Sequence, residues 1–194
     1  MTNIDINQLF LRCSSHTMCG IKPANLFTIP SQQFSKSAFE NWEALANRQG
    51  ISISAFKSSS NITMIFIYNI VWIGKILEDS FVQAYLCSKG FSNLFDTTKT
   101  LRELFYRLQT NKNFPHEVGI FLGYPIEDVI GFEKNQGKSS KYCGYWKSYC
   151  NPEEAKRCCE RYKQCSQMCN QWFSEGFSIP QIIKKYKEMA KKAA

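Results

Sequence analysis

The run FPHEVGIFLGYP, residues 114–125, holds His116, one of two histidines in the chain, with Glu117 directly after it. An imidazole beside a carboxylate offers the parts of a general acid–base pair, and either group alone could serve as a base. On an extended chain neighbouring side chains point to opposite faces, so the two would not act on one atom. Cys143 is a candidate nucleophile for a histidine base, although no nucleophile-elbow signature surrounds it. Asp128 supplies a second carboxylate, and Tyr124, Tyr145, Trp146 and Lys147 suit the lining of a pocket between adjacent strands. Set against this is a histidine that only bridges backbone at the start of a strand.

Cys13-x-x-His16-x-x-Cys19 is the compact Cys/His group of the sequence. Thiolate and imidazole ligands suit zinc or iron, but the spacing is not that of a zinc finger. Further on, Cys158, Cys165 and Cys169 fall within roughly 40° of one another on a helical projection, together with Tyr162 and Trp172. A mid-helix stripe of thiols fits core packing better than a metal cluster, whose ligands usually come from loops. Lys22, in GIKPAN with Asn25 close behind, sits in a rigid loop where it could hold an anion, yet no phosphate-cradling glycine motif is present. KYCGYWKSY interleaves bases with aromatics as a nucleobase-stacking surface would, without any nucleic-acid-binding signature.

Composition bounds what could position these groups. The 194 residues are 44% hydrophobic and 14% aromatic, enough for one well-filled domain. The net charge of +8 is concentrated toward KKYKEMAKK, residues 184–192, and reads as a solvated basic helix end. The amino terminus lacks the basic and apolar regions of a signal peptide. The longest apolar run, residues 62–77, is interrupted by Asn69, Gly74 and Lys75, too soon for a membrane span. A cytoplasmic protein is expected, with its nine cysteines reduced.

Periodicity predicts an irregular segment over residues 1–30 and a helix over 31–50 with Gly50 as its stop. It predicts a β-hairpin over 51–69 about a Ser-Ser-Ser-Asn turn and a helix over roughly 71–89. A cleaner helix follows from Thr97 to Gln109, striped by Leu101, Leu104, Phe105 and Leu108. Residues 117–123 read as a central strand, apolar on both faces, followed by a helix begun at Pro125. Residues 141–150 read as another strand. Asn151-Pro152-Glu153-Glu154 opens a helix to about Trp172, and a basic helix closes the chain at 178–194. The expectation is a single α+β domain: about four strands, antiparallel or mixed, covered by about six helices.

HEVGIFLGYPIEDVIGF, then YCGYWKSY, then EEAKRCCERYKQC, with GIKPANLF near the front, resemble a bacterial family, mainly of anaerobic Firmicutes, known as domain of unknown function 3793; the order and spacing match best over residues 114–165. The residues matching its pattern are Lys22, Asn25, His116, Glu117, Gly119, Gly123, Tyr124, Pro125, Asp128, Gly144, Tyr145, Trp146 and Lys147. His16, Cys19, Cys158, Cys159 and Cys169 depart from it, as does Asn69, where the pattern has arginine. The cysteine groups thus look individual to this chain. The resemblance implies a small stand-alone protein with no established activity, and an association with redox or iron-metabolism proteins. Three functions remain in order: a small-molecule or cofactor-binding accessory module linked to redox or iron metabolism; an enzyme using His116 or Glu117 with Cys143; and a nucleic-acid or protein-interaction domain using the basic helix. No particular cofactor is implied.

Overall fold

The computed structural model describes residues 6–57, 61–111 and 113–192. A three-stranded antiparallel sheet lies at its centre, in the order β1 (Ala24–Pro30), β3 (Ile62–Tyr68), β2 (Ser52–Lys57). The hairpin expected over 51–69 is β2 and β3, in a register that pairs Lys57 with Thr63 and Ser52 with Tyr68. The serine-rich part of its turn, residues 58–60, lies outside the described residues, as do 1–5 of the segment read as irregular and 193–194 of the basic helix.

β3 is central and buried on both faces. Ile65 and Ile67 point into one apolar cluster, and Met64 and Phe66 into the other. The first cluster is closed by α1 (Ile6–Met18), α2 (Lys36–Asn47), α8 (Pro152–Ser174) and α9 (Ile179–Lys192). The second is closed by α3 (Ile70–Leu77), α4 (Ser80–Ser88), α5 (Thr97–Thr110), α6 (Val118–Phe121) and α7 (Ile126–Lys134). Helices therefore cover both faces of an α+β sheet. Among the described residues no helix is long and apolar enough to cross a membrane.

Four expectations are corrected. Residues 6–30 are helix and strand, not irregular chain. The stripe of α1 is hard to see because Ser14, Ser15, His16 and Thr17 are all buried, with hydroxyls bonded inside the fold to partners such as the Phe10 carbonyl and Asn25. The helix over 71–89 is two helices, because Asp79 caps a new one by accepting from the Phe81 and Val82 N–H groups. Asn69 caps α3 by accepting from the Trp72 N–H.

The third correction falls on the opening motif. Residues 117–123 are not a strand. Val118–Phe121 form one helical turn, with the Leu122 N–H bonded to the Val118 carbonyl and the Tyr124 N–H to that of Gly119. A short apolar run fits a buried helix as well as a buried strand. Gly123 decides between them by taking a left-handed φ of +81° as the stop of the turn. Its bare Cα also lets Pro23 approach, since a Cβ there would lie 2.5 Å from the proline ring. Fourth, residues 141–150 form a separate two-stranded hairpin, β4 (Tyr142–Cys143) and β5 (Lys147–Ser148), outside the main sheet. The central sheet thus has three strands where about four were expected.

Candidate ligand-binding site

A cavity of about 320 Å³ opens between the edge strand β1, the α6–α7 corner and the β4–β5 hairpin. Leu26, Val118, Leu122 and Val129 give it an apolar floor, and Phe114, Phe132, Tyr124 and Trp146 give it aromatic walls. Tyr124 and Trp146 are stacked, with ring centroids 5.1 Å apart and planes 19° from parallel. His116 stands exposed at the rim, its ring 4.9 Å from that of Phe132. Lys147 also lines the cavity and donates to the Gly137 carbonyl at 2.6 Å. An ammonium has three N–H groups, so two remain for an occupant.

The wall is held by Asp128, which is only 2% exposed. One carboxylate oxygen accepts from the Tyr149 N–H at 2.7 Å, the Cys150 N–H at 3.1 Å and the Ser148 hydroxyl at 3.2 Å. The other accepts from the Trp146 indole N–H at 2.8 Å. Burial by itself would push the carboxyl up, but these donors outweigh it and hold Asp128 below the usual carboxylate range. Asp128 is therefore the clamp that fixes the hairpin, and Trp146 with it, against α7. Tyr124 is fixed too, its hydroxyl donating to the Tyr145 carbonyl at 3.2 Å.

The remaining candidates divide between structure and surface. Glu117 is buried and ion-paired with Arg107 at 3.3 Å. That guanidinium also bonds Glu103 and the Lys89 carbonyl and lies over the Phe91 ring. Glu117 is thus committed to holding α6 on α5, and a base role would fall to His116 alone. Cys143 is exposed on the hairpin and does not line the cavity. Tyr145 is turned away from it and packs edge-on against His16 and Tyr162. Asn25 is buried and accepts from the Thr17 hydroxyl at 2.6 Å. Lys22 is not a surface loop lysine: it is 3% exposed, with its ammonium 5.2 Å from the centre of the Tyr124 ring and 5.8 Å from that of Tyr162. Burial pushes its amine down to about 8.

The Cys13, His16, Cys19 group does not close on itself. Cys13 is half-buried, while Cys19 meets Cys165 and Cys169 of α8, two of the three cysteines placed on one helical face. His16 donates from Nε2 to the Tyr162 carbonyl at 3.0 Å, with the Ser166 hydroxyl at 2.8 Å on the same nitrogen. The proton therefore sits on Nε2, and Nδ1 is left as a buried lone pair without a partner. Burial also lowers the pKa of this imidazole.

Six residues of the pattern noted in the sequence, His116, Gly119, Tyr124, Asp128, Trp146 and Lys147, come from three elements and line one cavity. The family described as Protein of unknown function (DUF3793) matches residues 9–183. The chain belongs to that family. No curated protein and no solved structure matches it. In this DUF3793 chain, sequence reasoning missed Leu26, Phe114 and Phe132 as lining residues, since nothing local marks an apolar side chain as lining a cavity and not a core.

Proposed function

We propose that this chain is a small-molecule-binding module whose occupant is a flat, mostly apolar ring system bearing an anionic or hydrogen-bond-accepting group. The observation that carries the reading is the cavity itself: aromatic walls, an apolar floor, and Lys147 and His116 as its outward polar groups. Its volume of about 320 Å³ lies at the lower end of ligand sites, which run from roughly 300 to 1,000 Å³. A planar ring would extend the Tyr124–Trp146 stack, and the Lys147 ammonium would meet its negative end. The expected link to redox or iron metabolism is an untested part of the reading, and it adds flavins and haems to the ligands tried.

The test is a thermal-shift screen of flavins, haems, nucleotides and aromatic acids on the full chain. A true occupant present at a hundred times its dissociation constant adds about 2.7 kcal/mol of stability. Leu26→Trp, which fills the floor from a half-buried edge-strand position, should abolish that shift while keeping the fold. Equal stabilisation of wild type and Leu26→Trp would overturn the assignment, as would the failure of every compound in these classes.

A further inference from the structure

Cys19 follows α1 directly, and Cys165 and Cys169 stand four residues apart on α8. All three are buried, and their sulfurs lie within 4.8 Å of one another. Two ligands at i and i+4 on one helix, completed by a third from another element, is a geometry that holds metal ions. A tetrahedral metal with bonds of about 2.3 Å sets its sulfurs roughly 3.8 Å apart, and the Cys19–Cys169 separation is 3.8 Å. Three sulfurs from two distant parts of the chain thus converge on one point.

We propose that Cys19, Cys165 and Cys169 form a three-thiolate site for one soft, filled-shell metal ion, zinc or cuprous copper. Binding forms three sulfur–metal bonds, and each thiol proton displaced goes to water. Three soft sulfurs select these ions over hard cations. Three thiolates alone satisfy a trigonal cuprous ion, whereas zinc takes a fourth ligand.

Reduced full-length protein, stripped with a chelator under anaerobic conditions, is titrated with Zn²⁺ and separately with Cu⁺, each against a competing chromophoric chelator. One ion per chain is expected for one of the two, with a thiolate-to-metal charge-transfer band in the ultraviolet. The double variant Cys165→Ala, Cys169→Ala should lose the band and roughly a hundred-fold in affinity, while the exposed Cys143→Ala leaves both unchanged. Should the double variant fail to fold, wild type still decides: the bound ion should slow alkylation of Cys19, Cys165 and Cys169, followed by peptide mass spectrometry, without affecting Cys87. The proposal is overturned by the absence of one-to-one binding of either ion, by full retention of binding in the folded double variant, or by a Cys19–Cys169 disulfide as the resting state of the isolated protein.

Discussion

Replacing Asp128 by asparagine probes the joint on which the cavity wall depends. The change is nearly isosteric. The asparagine carbonyl can still accept from Tyr149, Cys150 and Ser148, but its amide then faces the Trp146 indole N–H, donor against donor. A buried donor left unpaired costs about 1–3 kcal/mol, and each bond that loses its ionic partner weakens by about half. With three such bonds the sum is about 3–5 kcal/mol, the range for breaking a buried charge network. For a chain of this length that lowers the melting temperature by roughly 10 °C. The pH dependence follows from the sign of the shift. Asp128 is held below the usual carboxylate range in the folded state. Its contribution is therefore complete above the unfolded value of about 3.9 and is lost as the pH falls through the folded value. The stability gap between wild type and Asp128→Asn should be flat from pH 7 to about 5 and narrow below about 4. Denaturant unfolding followed by circular dichroism across that range measures it, and Ser148→Ala, which removes only the 3.2 Å bond, serves as the mild control at about 1 kcal/mol. A gap at pH 7 below about 0.5 kcal/mol, or one that grows on acidification, would refute the clamp.

Lys22→Met should stabilise the protein at neutral pH, because the unfolded chain holds the lysine proton up to about 10.5 and the folded chain only to about 8. The advantage of the variant should shrink by about 2 kcal/mol between pH 7.5 and 10, as read by paired denaturation curves; a constant difference would show that Lys22 keeps its ordinary proton affinity. Gly123→Ala combines a left-handed φ with a Cβ 2.5 Å from Pro23, and should cost about 3 kcal/mol. Gly20→Ala, at a similar φ of +78° but with open space around its Cβ, should cost only about 1 kcal/mol. Equal losses in the two glycine variants, measured by thermal unfolding, would mean that the Pro23 contact yields without cost.

Elements bounded by strong local chemistry were legible from residues alone. Asn151 and Pro152 fix the start of α8, with the Asn151 side chain accepting from the Glu154 N–H, and the stripe of α5 is buried at Leu101, Leu104 and Leu108. What failed is equally local in origin. α1 buries serine, histidine and threonine, so its inner face does not look apolar. Residues 118–122 are apolar on every side because α6 is enclosed by the core, and enclosure removes the period that separates helix from strand.

The two sites differ in legibility for a related reason. The cavity was half visible because its polar and aromatic residues, Tyr124, Asp128, Trp146 and Lys147, fall within one stretch that folds back on itself through α7 and the hairpin. Their companions Leu26 and Phe132 carry no local mark, and only the pairing of β1 into the sheet and the packing of α7 place them there. The thiol group lies at the other extreme. Cys19 is 150 residues from Cys169, and spacing offers no way to connect them. Within a single element, Cys19 has Cys13 and His16 as its neighbours, and Cys169 belongs to a helical stripe of thiols. The packing of α1 on α8 is what turns two unremarkable patterns into one buried group of three. A thiol group of this kind carries its information in the contact between elements, and for that reason the bonds of Ser15 and His16 to α8, which seat α1 against it, belong to the group as much as the sulfurs do.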